Sequence, residues 1–450
     1  MHTHDPALTE LVLERVRDRL RTDGAPLNHP GQHDKLESAL SGLIGTDGND
    51  PADVLGLYTD HLAPTVVGCD SPRFLSFIPA APTQAAVLFD MLVSCSSIQG
   101  VSWMLAAGPV AAENEVLRLL ADLAGLPGTA GGCFVSGGSA GNLSALVTAR
   151  DTARCRRGYD EYARVRIALS DQAHSSISNT LRIIGVEPLL VPTRDHRLSG
   201  ADLRAALQAD GDPGNVIAVV ATAGTTNAGI IDDLAGVAEV AREFDLWFHI
   251  DGAYGGAGLL APSVRDRYRG IEHADSLVID PHKWLFAPLD CAALIYRNPA
   301  LAKAAHTQDA SYLDALHTDG ETEWNPSDYA HHLSRRARGL PLWFSLAVHG
   351  THAYTDAIES ALTLARESAA LIQNTPHVEL IREPDLSVVL FRRVGWTSHD
   401  YQTWSSRLLA DQTGFVAPTG WEGETVARFA FLHPATSLSL VQEILDTMAS

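Results

Sequence analysis

Short apolar runs alternate with segments of helical periodicity between residues 131 and 297. Most of these runs are rich in β-branched residues and apolar on both faces, as in VIAVVAT at 216–222. Strands that are buried on both faces are typical of a mostly parallel sheet covered by crossover helices. The pattern therefore predicts an α/β domain with a mostly parallel seven-stranded sheet, its strands at 131–136, 165–170, 186–192, 216–222, 246–251, 276–280 and 291–297.

Helical patterns flank this block on both sides. An amphipathic helix is predicted over 6–22, and further helical patterns cover 51–63 and 82–124. A long helical pattern begins near 341 and is followed by short apolar runs and two more helical segments, which indicates a small α+β domain. A chain of 450 residues is too long to form a single hydrophobic core. We therefore predict an N-terminal helical segment, a large domain and a small C-terminal domain, at 1–65, 66–340 and 341–450.

The charge balance excludes two classes of partner. The net charge of −21 comes from 33 basic and 54 acidic residues, whereas binding to nucleic acid or to an anionic membrane needs a basic face. The five cysteines are scattered without a C-x-x-C pair, so neither a disulfide framework nor a structural metal site is expected. The first residues lack the features of a signal peptide and no apolar run reaches transmembrane length, so we expect a cytoplasmic protein.

Polar side chains cluster just past the ends of five predicted strands. Ligands in open α/β sheets bind outside the carboxyl ends of the strands, so these patches are expected to converge on one site. The patches are SGGS (136–139), DQAHSS (171–176), TAGTTN (222–227), DGAYGG (251–256) and DPHKW (280–284).

Lys283 and Asp251 suggest a cofactor. A lysine directly after a buried strand is either a charge in an ordinary surface turn or, where burial disfavours its ammonium form, a nucleophilic amine that forms a Schiff base. Asp251 is either a turn former or a buried carboxylate that needs a cationic partner. Together they match what pyridoxal 5'-phosphate (PLP) requires, because the lysine binds its aldehyde and the carboxylate keeps the pyridine ring protonated.

The turn after the first predicted strand has two interpretations. The stretch GGSAG at 137–141 spells G-x-S-x-G around Ser139, which is the pattern of the nucleophile elbow in α/β-hydrolases. Asp411 and His433 follow in the order of a catalytic triad, but no oxyanion loop of the HGGG type precedes the turn. Alternatively, the same glycines and Ser139 open a helix whose N-terminal N–H groups bind the phosphate of PLP.

Five motifs, in this order, resemble those of the PLP-dependent group II amino-acid decarboxylases. The aromatic-L-amino-acid decarboxylase branch is the most similar, through SPRFLSFIPAAPT at 71–83 and GVSW at 100–103. The resemblance implies the PLP-dependent transferase fold type I, which is aspartate-aminotransferase-like. It also implies a homodimer with shared active sites, in which the N-terminal helical segment packs on the partner. The motifs are SGGSAGN (136–142), SDQAHSS (170–176), TAGTTNAGIID (222–232), DGAYGG (251–256) and DPHKW (280–284).

The resemblance also implies catalytic roles for single residues. Lys283 would form the Schiff base with PLP, Asp251 would pair with the pyridine nitrogen, and His174 would stack on the ring. Tyr312 matches a tyrosine on a mobile loop that reaches the active site of the partner subunit. The acid that protonates the substrate carbon after carbon dioxide leaves would be Tyr312 or His174.

Further residues match cofactor-binding positions of the family. Thr226 matches a threonine near the ring, and Asp232 matches a carboxylate at the edge of the site. Asp280 stands where the family commonly has an asparagine. The positions that match phosphate ligands are Gly138, Ser139, Ser276 and His282.

The predicted substrate pocket departs from that of the animal aromatic decarboxylases. Cys69 and Val101 stand where those enzymes carry bulky aromatic side chains, so stacking partners are lost. The family favours an aromatic substrate such as tryptophan, tyrosine, phenylalanine or DOPA, and an aliphatic amino acid stays an alternative. The predicted pocket residues are Phe77, Ile78, Pro79, Gln99 and Val101.

The resemblance implies decarboxylation of an L-amino acid to the amine and carbon dioxide. An oxygen-dependent, decarboxylating aldehyde synthase of the same family is the alternative, and such members change the loop tyrosine or the ring histidine. Tyr312 and His174 are both retained here, which favours simple decarboxylation and argues against a catalytically silent PLP-binding protein. A serine hydrolase that uses Ser139 is the alternative from another class.

Overall fold

The computed structural model describes residues 2–21, 25–78, 81–160, 163–311, 313 and 324–449. The chain divides into two compact units. The larger comprises Ala80–Ala369 and Arg382–Val389, and the smaller comprises Met1–Pro79, Ala370–Ile381 and Leu390–Ser450. This division differs from the three segments that the sequence predicts, because the smaller unit contains both ends of the chain.

The smaller unit begins with three helices, which are α1 Pro6–Arg21, α2 His33–Leu40 and α3 Pro51–Leu57. The predicted helix over 6–22 is confirmed as α1, and the pattern over 51–63 starts as α3 and continues in irregular helical turns to Thr65. The Asp50 carboxylate caps α3, since it accepts the backbone N–H groups of Ala52 and Asp53. Pro51 follows at the first helical position, where no N–H is needed.

A seven-stranded sheet lies in the larger unit, which confirms the predicted α/β fold. Its strands are β1 Gly131–Val135, β2 Arg166–Ser170, β3 Glu187–Val191, β4 Val216–Thr222, β5 Trp247–Asp251, β6 Ser276–Ile279 and β7 Ala292–Tyr296. Each predicted strand is confirmed to within one residue at either end. The strand order is β1-β7-β6-β5-β4-β2-β3, and β7 runs antiparallel to both of its neighbours. All residues of β4 and β5 are buried, as expected of strands covered on both faces.

Helices precede, connect and follow these strands. They are α4 Gln84–Cys95, α5 Trp103–Leu123, α6 Gly138–Arg157, α7 Ser175–Ile184, α8 Gly200–Ala209, α9 Leu234–Glu243, α10 Pro281–Trp284, α11 Pro299–His306 and α12 Leu340–Asn374. Helices α6 and α7 end on Gly158 and Gly185, whose φ angles of 65° and 66° favour glycine. Because α6 and α7 begin soon after β1 and β2 end, their N-termini lie at the carboxyl edge of the sheet.

The C-terminal part of the chain carries a second sheet, as the short apolar runs predict. Its strands are β8 Val378–Leu380, β9 Val388–Arg393, β10 Thr419–Trp421 and β11 Glu424–Ala430, in the order β10-β11-β9-β8. Helices α13 Ser398–Ala410 and α14 Leu438–Asp446 accompany it. Within the described ranges, none of the helices combines the length and apolar character needed to cross a membrane.

Candidate active site

A cavity of about 450 Å³ lies at the carboxyl edge of the seven-stranded sheet. All five polar patches that follow the predicted strands contribute to its lining, so their predicted convergence is confirmed. The patches are represented there by Ser139, His174, Thr226, Asp251 and Lys283.

The turn between β1 and α6 packs tightly against neighbouring groups. A Cβ atom on Gly138 would lie 3.0 Å from the Ala253 side chain and 3.0 Å from an oxygen of Asp280. A Cβ atom on Gly141 would lie 2.8 Å from Val278 of β6. The glycines of the G-x-S-x-G pattern thus allow a close approach of the helix to the sheet. The first turn of α6 lines the cavity, and its N–H groups form the kind of site that binds a phosphate.

Lys283 lies in α10, directly after β6, with Nζ 2.9 Å from Oδ2 of the buried Asp280. Burial by itself lowers the pKa of Lys283, but the charges of Asp280 and Asp251 outweigh burial, so the pKa is raised. Asp280 Oδ2 also accepts the N–H of Gly138 at 3.0 Å. Its Oδ1 is buried and accepts no hydrogen bond from a described residue. The lysine therefore rests as an ammonium beside a carboxylate with one oxygen available to a further donor.

Asp251 ends β5 and is only 4% exposed. Its Oδ1 accepts the backbone N–H of Ala253 at 3.1 Å, and its Oδ2 accepts the Asn142 amide at 2.9 Å. These two donors are fixed by the fold and hold the carboxylate in place. Such a carboxylate can hold a protonated heterocycle in the cavity, because a buried charge needs an opposite charge nearby.

Two histidines of the cavity lining each accept a backbone N–H at Nδ1, which fixes the orientation of the ring. His174 precedes α7, and its Nδ1 accepts the backbone N–H of Ser176 at 3.2 Å, so the neutral ring carries its proton on Nε2. The His174 side chain is exposed. His282 is buried, and its Nδ1 accepts the N–H of Cys291 at 2.9 Å. Burial lowers the pKa of His282, although the charge of Asp280 opposes this shift.

Ser276 does not line the cavity. It is the first residue of β6, whereas the cavity lies past the last residue of that strand. Its hydroxyl lies 2.8 Å from Nε1 of Trp247 and 2.8 Å from Nδ1 of His249. This placement corrects the expectation that Ser276 binds phosphate.

Asp232 is buried away from the lining as well. Its carboxylate accepts the backbone N–H groups of Thr222 at 2.7 Å and Leu198 at 2.8 Å. Burial raises the pKa of Asp232 to about 7, although these two donors oppose the shift. Asp232 therefore joins the end of β4 to a neighbouring loop, which corrects the expectation that it lies at the edge of the site. Thr226 does line the cavity.

The predicted substrate-pocket residues are not brought together in the larger unit. Gln99 is exposed and Val101 is buried, and neither lines the cavity. Phe77 and Ile78 belong to the smaller unit, where Phe77 is 62% exposed and packs against Phe415 with ring centres 6.2 Å apart. Pro79, like the catalytic candidate Tyr312, lies outside the described residues. The substrate pocket therefore stays a prediction.

The geometry does not support the hydrolase interpretation. Nδ1 of His433 accepts the N–H of Ala435 at 3.0 Å, so this nitrogen has no proton to donate to a catalytic acid. Asp411 ends α13 as its C-terminal cap. The predicted residues thus supply no acid–histidine pair.

Sequence reasoning misses the residues that support Asp251, above all Asn142, Ser176 and His249. One signal points to His249, because the alternation of WFHID puts it on the same face of β5 as Asp251. A polar side chain inside a strand that is buried on both faces needs a hydrogen-bond partner. Asn142 carries no such signal, since it lies 109 residues from Asp251 along the chain.

Together, the fold and the cavity define a class of protein. The sheet is mostly parallel. At its carboxyl edge lie a helix N-terminus suited to phosphate, a lysine and a buried carboxylate. These residues fit PLP, because they supply a partner for its phosphate, for its aldehyde and for its ring nitrogen.

Comparison with known proteins identifies the family. Residues 41–394 match the pyridoxal-dependent decarboxylase conserved domain. The aromatic-L-amino-acid decarboxylase of Bacillus atrophaeus is 31% identical over 374 residues, covering 82% of this chain and 77% of the relative. The 4-hydroxyphenylacetaldehyde synthase of Rhodiola rosea is 29% identical over 400 residues, covering 85% of this chain and 77% of the relative.

A solved structure agrees over the whole chain. The crystal structure of Oryza sativa TDC with PLP and tryptamine has a TM-score of 0.91 and 26% identity, with 100% of each chain covered. The chain belongs to the pyridoxal-dependent decarboxylase family. It is a PLP-dependent amino-acid decarboxylase of fold type I.

Proposed function

We propose that this enzyme decarboxylates an aromatic L-amino acid, such as tryptophan, tyrosine, phenylalanine or DOPA, to the amine and carbon dioxide. The observation that carries the chemistry is the presence of Lys283 and Asp251 in one cavity beside the N-terminus of α6. The aromatic substrate is supported by the name of the relative from Bacillus atrophaeus and by the tryptamine in the Oryza sativa structure.

Seven residues would surround PLP in this proposal. Lys283 would bind the aldehyde as a Schiff base, and the ionised Asp251 would pair with the ring nitrogen. Gly138 and Ser139, with His282 nearby, would hold the phosphate, and His174 would stack on the ring with Thr226 beside it. When bound, PLP supplies the electron sink that accepts the electrons left on Cα as carbon dioxide departs.

Three groups of the chain would handle protons. Asp251 would favour a proton on the ring nitrogen, because its two donors hold the carboxylate in the cavity lining. Asp280 would hold the Lys283 ammonium in place until its proton leaves and the amine reacts. His174 or Tyr312 would then protonate Cα.

We further propose a cytoplasmic homodimer with shared active sites, in which the N-terminal helices pack on the partner. None of the three helices α1, α2 and α3 buries a residue. Leu8, Val12 and Val54 are 41%, 42% and 38% exposed, which leaves apolar surface for a partner. Sedimentation of the full chain should give a dimer, and a monomer with full activity would refute this part of the proposal.

The decisive experiment combines a spectrum with a substrate panel. Purified protein with PLP should show the visible absorption of a Schiff base, and Lys283→Ala should abolish it. Lys303→Ala is the matched control, since Lys303 is half exposed on α11 and pairs with Asp328 at 3.6 Å. Amine formation is then measured across aromatic, aliphatic and acidic amino acids. Absence of the band, or amine only from aliphatic or acidic substrates, would contradict the proposal.

A second candidate is favoured by the similarity to the Rhodiola rosea aldehyde synthase. That reaction would convert the amino acid, oxygen and water into the aldehyde, carbon dioxide, ammonia and hydrogen peroxide. His174 and Tyr312 are both present in this chain, which favours the simple decarboxylase. Hydrogen peroxide formed in equal amount to carbon dioxide would reverse this choice.

A further inference from the structure

A row of hydrogen-bonded side chains leads from Trp247 of β5 and Ser276 of β6 to Asp251 in the cavity lining. Nε1 of Trp247 and Nδ1 of His249 each lie 2.8 Å from the Ser276 hydroxyl. Nε2 of His249 lies 2.9 Å from Oδ1 of Asn142, and Nδ2 of Asn142 lies 2.9 Å from Oδ2 of Asp251. Strand β5 supplies Trp247, His249 and Asp251 from one face, because alternate residues of a strand point the same way.

The two ends of the row determine the direction of each hydrogen bond. An indole N–H only donates, and a carboxylate only accepts. The Asn142 amide donates to Asp251, so its carbonyl oxygen accepts from Nε2–H of His249. The neutral imidazole then accepts at Nδ1 from the Ser276 hydroxyl, which in turn accepts from Trp247.

Burial protects this arrangement from water. His249 and Ser276 are fully buried, and Asn142 is 1% exposed. Burial lowers the pKa of His249 to about 4, although the charge of Asp251 opposes the shift. The ring is therefore neutral at neutral pH, as the direction of the row requires. Hydrogen bonds in a buried row polarise one another, so each donor strengthens the next.

Asn142 also connects to the histidine on another side of the cavity. Its Nδ2 donates to the Ser176 hydroxyl at 3.1 Å, and that hydroxyl lies 2.8 Å from Nδ1 of His174. A single amide group thus supports both Asp251 and His174.

We propose that Asn142 is a positioning residue that orients the Asp251 carboxylate and, through Ser176, the His174 ring, while His249 and Ser276 hold its amide in place. This inference rests on the proposed function, which assigns Asp251 and His174 to the PLP ring. Asn142 lines the cavity too, but its amide nitrogen already donates to Asp251 and Ser176, so it acts through these neighbours.

The test measures the protonation of the ring nitrogen directly. Full-length protein is loaded with PLP that carries 15N at that nitrogen, and its NMR resonance is recorded for wild type and Asn142→Leu. Thr148→Val is the matched control, because Thr148 is buried on the same helix and its hydroxyl bonds Ser144 and His306. We expect Asn142→Leu to move the resonance towards neutral pyridine and to weaken PLP binding about tenfold or more, the range for lost support of a binding group.

The outcomes distinguish failure of the proposed function from failure of the role given to Asn142. A wild-type protein without a Schiff-base band would overturn the proposed function and this inference with it. A wild-type band combined with an unshifted resonance and unchanged PLP affinity in Asn142→Leu would overturn the inference alone. An equal effect in Thr148→Val would overturn it too, because the loss would then be structural.

Two further variants keep the inference falsifiable if Asn142→Leu does not fold. Asn142→Asp keeps the size but replaces the donor with an acceptor, so the same shift of the resonance is expected. His249→Gln retains a donor towards Asn142 and should bind PLP nearly as wild type, whereas His249→Leu should resemble the Asn142 variants. Identical PLP affinity in both His249 variants would contradict the role of His249 as a donor that holds the Asn142 amide in place.

Discussion

Two buried carboxylates stand one strand apart at the carboxyl edge of the large sheet, Asp251 after β5 and Asp280 after β6. Both oxygens of Asp251 accept N–H groups that the fold holds in place, one from the backbone and one from Asn142. Asp280 shares Oδ2 between the N–H of Gly138 and the Lys283 ammonium, and its Oδ1 has no partner among the described residues. The comparison teaches that similar burial permits different roles, because the partners decide whether a carboxylate is held by fixed N–H donors or pairs with the reactive lysine.

Removing the charge of Asp251 should have the largest effect. Asp251→Asn keeps the shape but loses the charge that favours a protonated ring nitrogen. We expect kcat to fall about 10³-fold, or about 4 kcal/mol, the upper range for loss of one electrostatic group. Steady-state rates at saturating substrate and full PLP occupancy measure this. Asp275→Asn is the control, since Asp275 accepts the N–H of Phe248 at 2.8 Å near the opposite end of β5. Equal rates for the two variants would refute the assignment.

The support behind Asp251 should also make folding stability depend on pH. The pKa of His249 is lowered from 6.5 to about 4, so the unfolded chain takes up this proton at a higher pH than the folded chain. The contribution to stability is therefore complete above pH 6.5 and is lost as the pH falls to about 4, by about 3 kcal/mol.

Denaturant titrations from pH 7.5 to 4 provide the measurement, with His249→Gln as the variant that cannot titrate. Other groups contribute to the pH dependence of both proteins, so the difference between the two curves isolates His249. Parallel curves would show that His249 does not titrate as a buried neutral ring.

Removing the charge of Asp280 should change the pH dependence of Schiff-base formation more than the affinity for PLP. One of the two carboxylates that raise the pKa of Lys283 is lost in Asp280→Asn, so the pKa falls. The PLP-free protein should then form its Schiff base down to lower pH, because more of the lysine is neutral. We expect kcat to fall about tenfold, as for loss of one hydrogen bond to a charged group.

Stopped-flow absorbance of PLP capture against pH measures the shift. Asp90→Asn is a suitable control, because Asp90 pairs with Arg336 at 2.6 Å outside the cavity lining. A pH midpoint that moves upwards in Asp280→Asn would contradict the role given to this carboxylate.

The sequence predicts where the two carboxylates lie, but not the partners that distinguish them. The strands are predictable because burial on both faces leaves continuous apolar runs, as in β4. Lys283 and Asp251 are predictable because polar residues that end such runs meet at one edge of a parallel sheet. Both inferences depend only on local patterns and on a general rule of topology.

The support of the site depends instead on packing between distant segments. Asn142 reaches Asp251 only because Gly141 lets α6 approach β6 closely, and no local pattern announces that contact. Ser276 is misassigned because the family match places it near the site, while only the register of β6 reveals that it lies at the far end of the strand. Asp280 looks like a simple replacement of asparagine until its free oxygen and its lysine partner are known.

The smallest expected effect concerns Ser139, whose hydroxyl is proposed to bind the phosphate of PLP at the start of α6. Ser139→Ala removes one neutral donor to phosphate, and the N–H groups of the helix remain. We expect PLP affinity to fall about fivefold, or about 1 kcal/mol, with kcat almost unchanged at saturating PLP. Equilibrium titration with PLP measures the affinity, and Ser144→Ala, a buried serine of the same helix that bonds the Ala140 carbonyl, is the control.

The size of this effect separates the two interpretations of G-x-S-x-G. A phosphate ligand is one donor among several, so its loss is partly compensated. A nucleophile has no substitute, so its loss removes the reaction while leaving PLP binding intact. Complete inactivation of Ser139→Ala at wild-type PLP affinity would therefore indicate that Ser139 is the nucleophile. A modest loss of PLP affinity would instead support Ser139 as a phosphate ligand and Lys283 as the reacting residue.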